Sequence, residues 1–187
     1  MSLYSCAIIS HRPNRFKWKY KENNNGCKRL KKRVNEQIVA LYEQGVRRFL
    51  VGGGLGIDQW VGEMILRLKE QPEYGDISLV VVLPYSGHDQ QWDVRSKDRL
   101  AFLIRHSSET VTIGRSERIS SALFRIRDKY MIDCADFVLA VYDNNRVIKN
   151  QVGAAVQYAE SKGIPIVFVH PDNGLIKFTD AIFKCLP

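Results

Sequence analysis

At 187 residues, with 45% hydrophobic and 26% charged residues, the chain has the make-up of one globular domain with a proper core, and two full domains with separate cores are excluded. No apolar run approaches the roughly 18–20 residues of a membrane span, and the charged His11–Arg12 pair follows Met1–Ser10 so closely that no signal peptide is expected. The net charge of +8 is local: Arg12–Arg33 holds ten bases against the single acid Glu22, for +9, and the remainder sums to −1.

The apolar pattern alternates between strands and helices. Cys6–Ile9 reads as a short buried strand ending at Ser10, and Leu30, Val34, Ile38 and Leu41 mark one face of a helix. Asn23–Asn24–Asn25–Gly26, between them, is expected to be a mobile loop. Arg48–Val51 forms a second strand, stopped by Gly52–Gly53–Gly54, and Ile57, Trp60, Val61, Met64 and Leu68 give the next helix, which Pro72 and Gly75 end. Leu79–Leu83 is a third strand closed by Pro84, Trp92–Ile104 a helix and Thr110–Ile113 a short strand. Ile119, Leu123, Ile126 and Tyr130 mark another helix. Phe137–Tyr142 is the most hydrophobic strand, Val152–Ser161 a helix, Ile164–Val169 the last long strand, and Leu175–Leu186 a short terminal helix.

Buried strands alternating with helices imply an α/β, Rossmann-like, doubly wound and mostly parallel sheet with helices on both faces, spanning 1–187 as a single domain. In such sheets ligands sit outside the strand carboxyl ends, near the point where strand order reverses. Ser10, His11 and Arg12, the Gly52–Asp58 turn, Pro84 and Tyr85, and Tyr142 and Asp143 all lie just past expected strand ends. The four scattered cysteines form no CxxC pair, which predicts reduced thiols and a cytoplasmic protein. The four histidines lack ligand spacing, so no metal site is expected.

Gly52–Gly53–Gly54–Leu55–Gly56–Ile57–Asp58 joins a strand to a helix. Its glycines suit a cradle in which backbone N–H groups approach a phosphate, with the positive helix end behind them. They suit equally a tight turn with Asp58 as a helix cap. On the cradle reading, a valine at Gly53 or Gly54 abolishes ligand binding in a folded domain. Arg12 has a planar fork suited to phosphate; a surface charge is the alternative. Glu63 stands either as an acid/base group or as a helix-surface acid, and Asp143 either accepts a ribose hydroxyl or caps a turn. In Arg15–Phe16–Lys17–Trp18–Lys19–Tyr20–Lys21, rings and bases alternate. That suits stacking on nucleobases, packing on the core, or a lid over the site.

Gly-Gly-Gly-Leu-Gly-Ile-Asp-x-Trp with Glu63, Ser10–His11–Arg12–Pro13, Trp92 with Arg99, Arg127–Asp133 and Ala135–Asp143 together resemble the YpsA-like family of the SLOG superfamily, to which the Lonely Guy phosphoribohydrolases and DprA also belong. The resemblance covers nearly the whole chain. It implies a Rossmann-like fold with a pocket for a nucleotide-derived ligand, and it marks Arg127 for an anion contact. The superfamily's second glycine motif is replaced here by Asn144–Asn145–Arg146–Val147–Ile148–Lys149–Asn150–Gln151–Val152–Gly153, leaving only Gly153 at the helix start. No acid stands between Asp143 and Glu160, so the catalytic Glu of the Lonely Guy enzymes has no counterpart, and whether any reaction occurs stays open.

The expected function is binding of a small anionic, phosphate-bearing ligand, a nucleotide or an ADP-ribose-like compound, by a sensor or by a hydrolase of a glycosidic or phosphoryl bond. Arg12 and the glycine turn would hold the anion, Tyr85 or Tyr142 would flank a base, and Glu63 or Asp143 would serve as the weak catalytic candidates. The alternative is a DprA-like protein that binds or processes single-stranded DNA through Arg12–Arg33. No membrane partner is expected, and association into a homo-oligomer stays open.

Overall fold

The computed structural model describes residues 3–114, 120–145 and 147–179. One seven-stranded sheet runs in the order β4-β3-β2-β1-β5-β6-β7. Its strands are β1 (Tyr4–Ser10), β2 (Val46–Val51), β3 (Ser78–Tyr85), β4 (Glu109–Gly114), β5 (Phe137–Val141), β6 (Ile166–Val169) and β7 (Ile176–Phe178). The first six pair in parallel, and β7 joins β6 antiparallel at the edge. Among the described residues, five α-helices connect them: α1 (Asn25–Glu43), α2 (Ile57–Lys69), α3 (Val94–His106), α4 (Ala122–Asp133) and α5 (Gln151–Ser161).

Strand residues alternate between two cores. Cys6 and Ile8 of β1 pack with residues of α1, α2 and α3, whereas Ala7 and Ile9 pack with α4 and α5. In β1, β3, β5 and β6 both sets of alternate positions are buried, which is why these strands read as apolar runs, whereas β4 and β7 at the sheet edges are partly exposed. The expected doubly wound α/β architecture is the one observed.

Local signals set the element ends. Asn24 caps α1 by accepting the Gly26 N–H at 2.8 Å, so of the expected loop Asn25 and Gly26 open the helix and Asn23 lies in the turn before it. Asp93 caps α3 through the Ser96 N–H at 3.0 Å, which moves that helix start past Trp92. Pro84 and Tyr85 lie within β3, where Tyr85 pairs with Gly114. A proline is tolerated there because the strand is ending and its missing donor costs one ladder bond. Residues 176–178 form an edge strand, Val167 opposite Phe178, where a helix was expected. The rest of that expected helix, and the expected helix position Ile119, lie outside the described residues.

Candidate functional site

Strand order reverses between β1 and β5. A cleft of about 260 Å³ opens there, outside the carboxyl ends of those strands. Ser10, His11, Arg12, Asn14 and Arg15 form the wall that follows β1. Gly54, Leu55 and Asp58 come from the β2–α2 turn, Phe124 and Arg127 from α4, and Asn150, Gln151 and Val152 from the start of α5.

His11 is 7% exposed, and its Nε2 has no hydrogen-bond partner among the described residues. Its ring packs on that of Tyr142, centroids 5.3 Å apart. Burial lowers its pKa below the ordinary 6.5, Asp143 opposes that shift and Arg15 adds to it, so the imidazole is neutral at pH 7. A buried ring nitrogen without a partner carries a desolvation cost that a bound polar group would remove.

Arg12 is exposed and its guanidinium lies over the Phe124 ring at 5.0 Å. It makes no ion pair among the described residues. Arg127 is already committed: its Nη1 donates to the Gly52 carbonyl at 2.7 Å, and its Nε and Nη2 donate to Asp128 Oδ1 at 3.0 and 2.6 Å. The second oxygen of Asp128 accepts from Gln151 Nε2 at 2.6 Å. This network ties the glycine turn, α4 and α5 together behind the cleft.

The glycine turn holds an anion of the protein's own. Asp58 Oδ2 accepts the Gly54 N–H at 2.8 Å from within the first turn of α2. Burial raises the Asp58 pKa, while Arg127 and the amides of Gly54 and Gly52 pull it back. Gly53 and Gly56 sit at φ +65° and +82°, and a Cβ on them would come within 2.6 Å of Leu83 and 2.5 Å of Pro13. Their lack of a side chain therefore serves turn geometry and close packing. The Gly53 carbonyl lies 3.0 Å from His88 Nε2.

At α5, Asn150 Oδ1 accepts the Gly153 N–H at 2.8 Å. Gln151 and Val152 line the cleft, and the N–H groups of a first helical turn have no acceptor within the helix. This helix end supplies donors without the missing second glycine motif. Arg146, in the segment that replaces that motif, lies outside the described residues.

Of the residues singled out in the sequence, Ser10, His11, Arg12, Gly54, Asp58 and Arg127 meet at the cleft; Gly52, Gly53, Gly56, Pro84, Tyr85, Tyr142, Asp143, Gly153 and Glu63 do not line it. Tyr85 is in β3, two strands from the reversal, with its ring edge against Phe124 at 6.0 Å. Tyr142 is 2% exposed and its hydroxyl donates to the Asn145 carbonyl, so it offers no face to a base. Asp143 accepts the Asn145 N–H at 3.1 Å, the turn-capping geometry. Glu63 forms a two-bond ion pair with Arg99 at 2.6 and 2.8 Å on the outer side of α2. Phe124 and Gln151 escaped sequence reasoning. Asn150 was legible as a helix cap before Val152, but Phe124 carried no local signal.

The basic segment splits. Phe16 and Trp18 are buried and stacked at 5.5 Å, and the bases between and after them point outward. Glu22 accepts from Lys31 at 2.6 Å and is paired with Arg99, fastening this strap to α1 and α3.

Comparison with known proteins supplies the lineage. A UPF0398 protein of Halalkalibacterium halodurans is 28% identical over 127 residues, 68% of this chain and 66% of that protein, so the match spans about two thirds of its length. YpsA of Bacillus subtilis, also a UPF0398 protein, is 24% identical over 156 residues, 82% of this chain and 86% of its own. Among solved structures, DNA processing protein A of Helicobacter pylori, studied for its single-stranded DNA binding mode, has the same fold. The TM-score is 0.59 at 14% identity, covering 97% of this chain and 70% of that one. The model of the YspA SLOG family matches residues 6–173, and the chain belongs to that family.

Proposed function

We propose that the protein binds a nucleotide-derived, phosphate-bearing small ligand in the cleft between β1 and β5, as a sensor. The observation that carries this is the imbalance of donors over acceptors. Arg12 lines the cleft, the first residues of α5 open on it, and His11 beside them has a buried ring nitrogen with no partner among the described residues, while the one carboxylate that lines it, Asp58, is held by the glycine turn. A phosphate placed there gains charge-assisted bonds from an arginine fork and a helix N-terminus. Binding without hydrolysis is favoured because, among the described residues, no carboxylate at the cleft is free to activate water. Asp58 is buried under the amides, Asp143 caps its turn and Glu63 is paired elsewhere.

Thermal melts with AMP, ADP, ADP-ribose and inorganic phosphate test the proposal. A ligand that binds the folded state raises the melting temperature as its concentration exceeds its dissociation constant. At least one nucleotide is expected to do so in the wild type and to lose the effect in Arg12→Ala. Unmoved melts for all four compounds would sink the proposal, and product release by the wild type would replace the sensor with a hydrolase.

A second reading is single-stranded nucleic acid bound by the outward bases of the strap. The alternation of buried rings with exposed Lys17, Lys19 and Lys21 favours it, as does the fold shared with DNA processing protein A. The buried state of Trp18 weakens it, because that ring is not available for stacking on a base.

A further inference from the structure

A groove larger than the cleft, about 760 Å³, runs between α2 and α3 on the outer side of the domain. Leu66, Val94 and Phe102 give it an apolar floor, and Val94 and Phe102 are 74% and 48% exposed. Arg67, Glu70, Arg95 and Asp98 stand around it, all exposed, and none of the four makes an ion pair among the described residues. They contrast with Glu63 and Arg99 in the same groove, which pair with each other, Arg99 also holding Glu22 of the strap.

From this we infer that the α2–α3 face is the interface of a two-fold homodimer. Two bases and two acids around apolar side chains make a patch of zero net charge that is complementary to itself. In an isologous contact the same patch meets its own copy, so each arginine of one protomer can reach an acid of the other. The rest of the charge distribution selects this face. The chain carries +8, concentrated in Arg12–Arg33, so two copies repel through the strap and meet at least cost through a neutral surface. A strongly acidic partner would prefer the strap, and a basic or acidic peptide would leave half of the four groove charges unmatched. Exposed Val94 and Phe102 supply apolar area that only burial against a partner removes from water.

Light scattering on the full chain across a wide range of concentration gives the first reading, with twice the chain mass expected at the upper end. Phe102→Glu combined with Val94→Glu should halve that mass while the far-ultraviolet spectrum stays unchanged, since both side chains are exposed. Charge reversal then tests self-complementarity without disturbing the floor. Arg67→Glu with Arg95→Glu makes the patch wholly acidic, and Glu70→Lys with Asp98→Lys makes it wholly basic. Each variant alone should be monomeric, and an equimolar mixture should recover the dimer mass. A wild type that stays monomeric at every concentration overturns the inference. So does a dimer that persists in the Phe102/Val94 variant or in either charge variant alone.

Discussion

Arg12 and Arg127 both line the cleft and differ in what they already hold. Arg127 and Asp128 form a nearly buried pair, with side chains 11% and 7% exposed. Removing one partner of such a pair strands the other, at a cost of roughly 3–5 kcal/mol. Arg127→Ala should therefore lower the free energy of unfolding in urea by that order, whatever it does to binding. Among the described residues, Arg12 has only the Phe124 ring against its guanidinium. Arg12→Ala should leave the urea midpoint nearly unchanged and weaken the phosphate ligand by roughly 1.5–3 kcal/mol, the scale of a charge-assisted hydrogen bond. Titration calorimetry checks this, with Arg12→Lys restoring part of the loss because an ammonium lacks the fork. His11 makes a pH prediction. Its folded pKa is depressed below 6.5, so as pH falls from there toward the depressed value the unfolded chain takes up the proton first and stability declines. Urea melts between neutral and mildly acid pH should show that decline in the wild type and a shallower one in His11→Gln.

At the scale of elements, the glycine turn behaves as structure. Gly53→Val places a β-branched side chain at positive φ against Leu83. Left-handed backbone costs roughly 1–2 kcal/mol and overpacking typically about 1–3 kcal/mol more. The variant should melt earlier with or without ligand, contrary to the expectation of an intact fold that merely fails to bind. Turn amides and the Asp58 carboxylate satisfy each other, which accounts for the glycines with no phosphate in the turn. The strap offers a parallel case. Burial disfavours the charge on Glu22, but bonds from Lys31 and Arg99 outweigh it and hold the carboxyl at about 2, against an ordinary 4.5. A depressed carboxyl pKa adds stability above the unfolded value, and that stability is lost as pH falls from 4.5 toward 2. Acid titration of the fold should be shallower across that window in Glu22→Gln, which is already less stable at neutral pH.

Across the whole molecule, charge and packing assign opposite sides of the strap to different tasks. Trp18 is 7% exposed and lies against Gly26, where a Cβ would stand 2.7 Å from its ring. Trp18→Ala should cost roughly 3–5 kcal/mol of stability, as large core truncations do, and this loss should appear in melts without nucleic acid. Lys17, Lys19, Lys21, Lys28 and Lys32 are exposed, whereas Lys31 is tied to Glu22. Single-stranded DNA should therefore bind loosely, with a log–log salt slope of about −0.7 for each phosphate contact. Glutamine at the five exposed lysines should flatten the slope, and glutamine at Lys31 should not. Fluorescence anisotropy at two salt concentrations measures both. Submicromolar binding that survives physiological salt would put nucleic acid ahead of the small ligand.

Periodic burial is a property of local sequence, and so the α/β order, the helix faces of Leu30, Val34, Ile38 and Leu41, and the strand at Phe137 were legible without coordinates. Ser10, His11 and Arg12 could be placed at the cleft because a residue following the first strand of a doubly wound sheet has nowhere else to go. What each polar group already holds was not legible, since its partners are distant in the chain. Arg127 meets Gly52, Glu63 meets Arg99 and Glu22, in the strap, meets that same arginine. The edge strand at Ile176–Phe178 shows the same limit, for its three residues carry no period and are fixed by hydrogen bonds to β6. Sequence alone determined the architecture and the end of the sheet at which to look. Only the tertiary structure decided which donors there remain unspent, because hydrogen bonding is settled between neighbours in space and leaves no pattern along the chain.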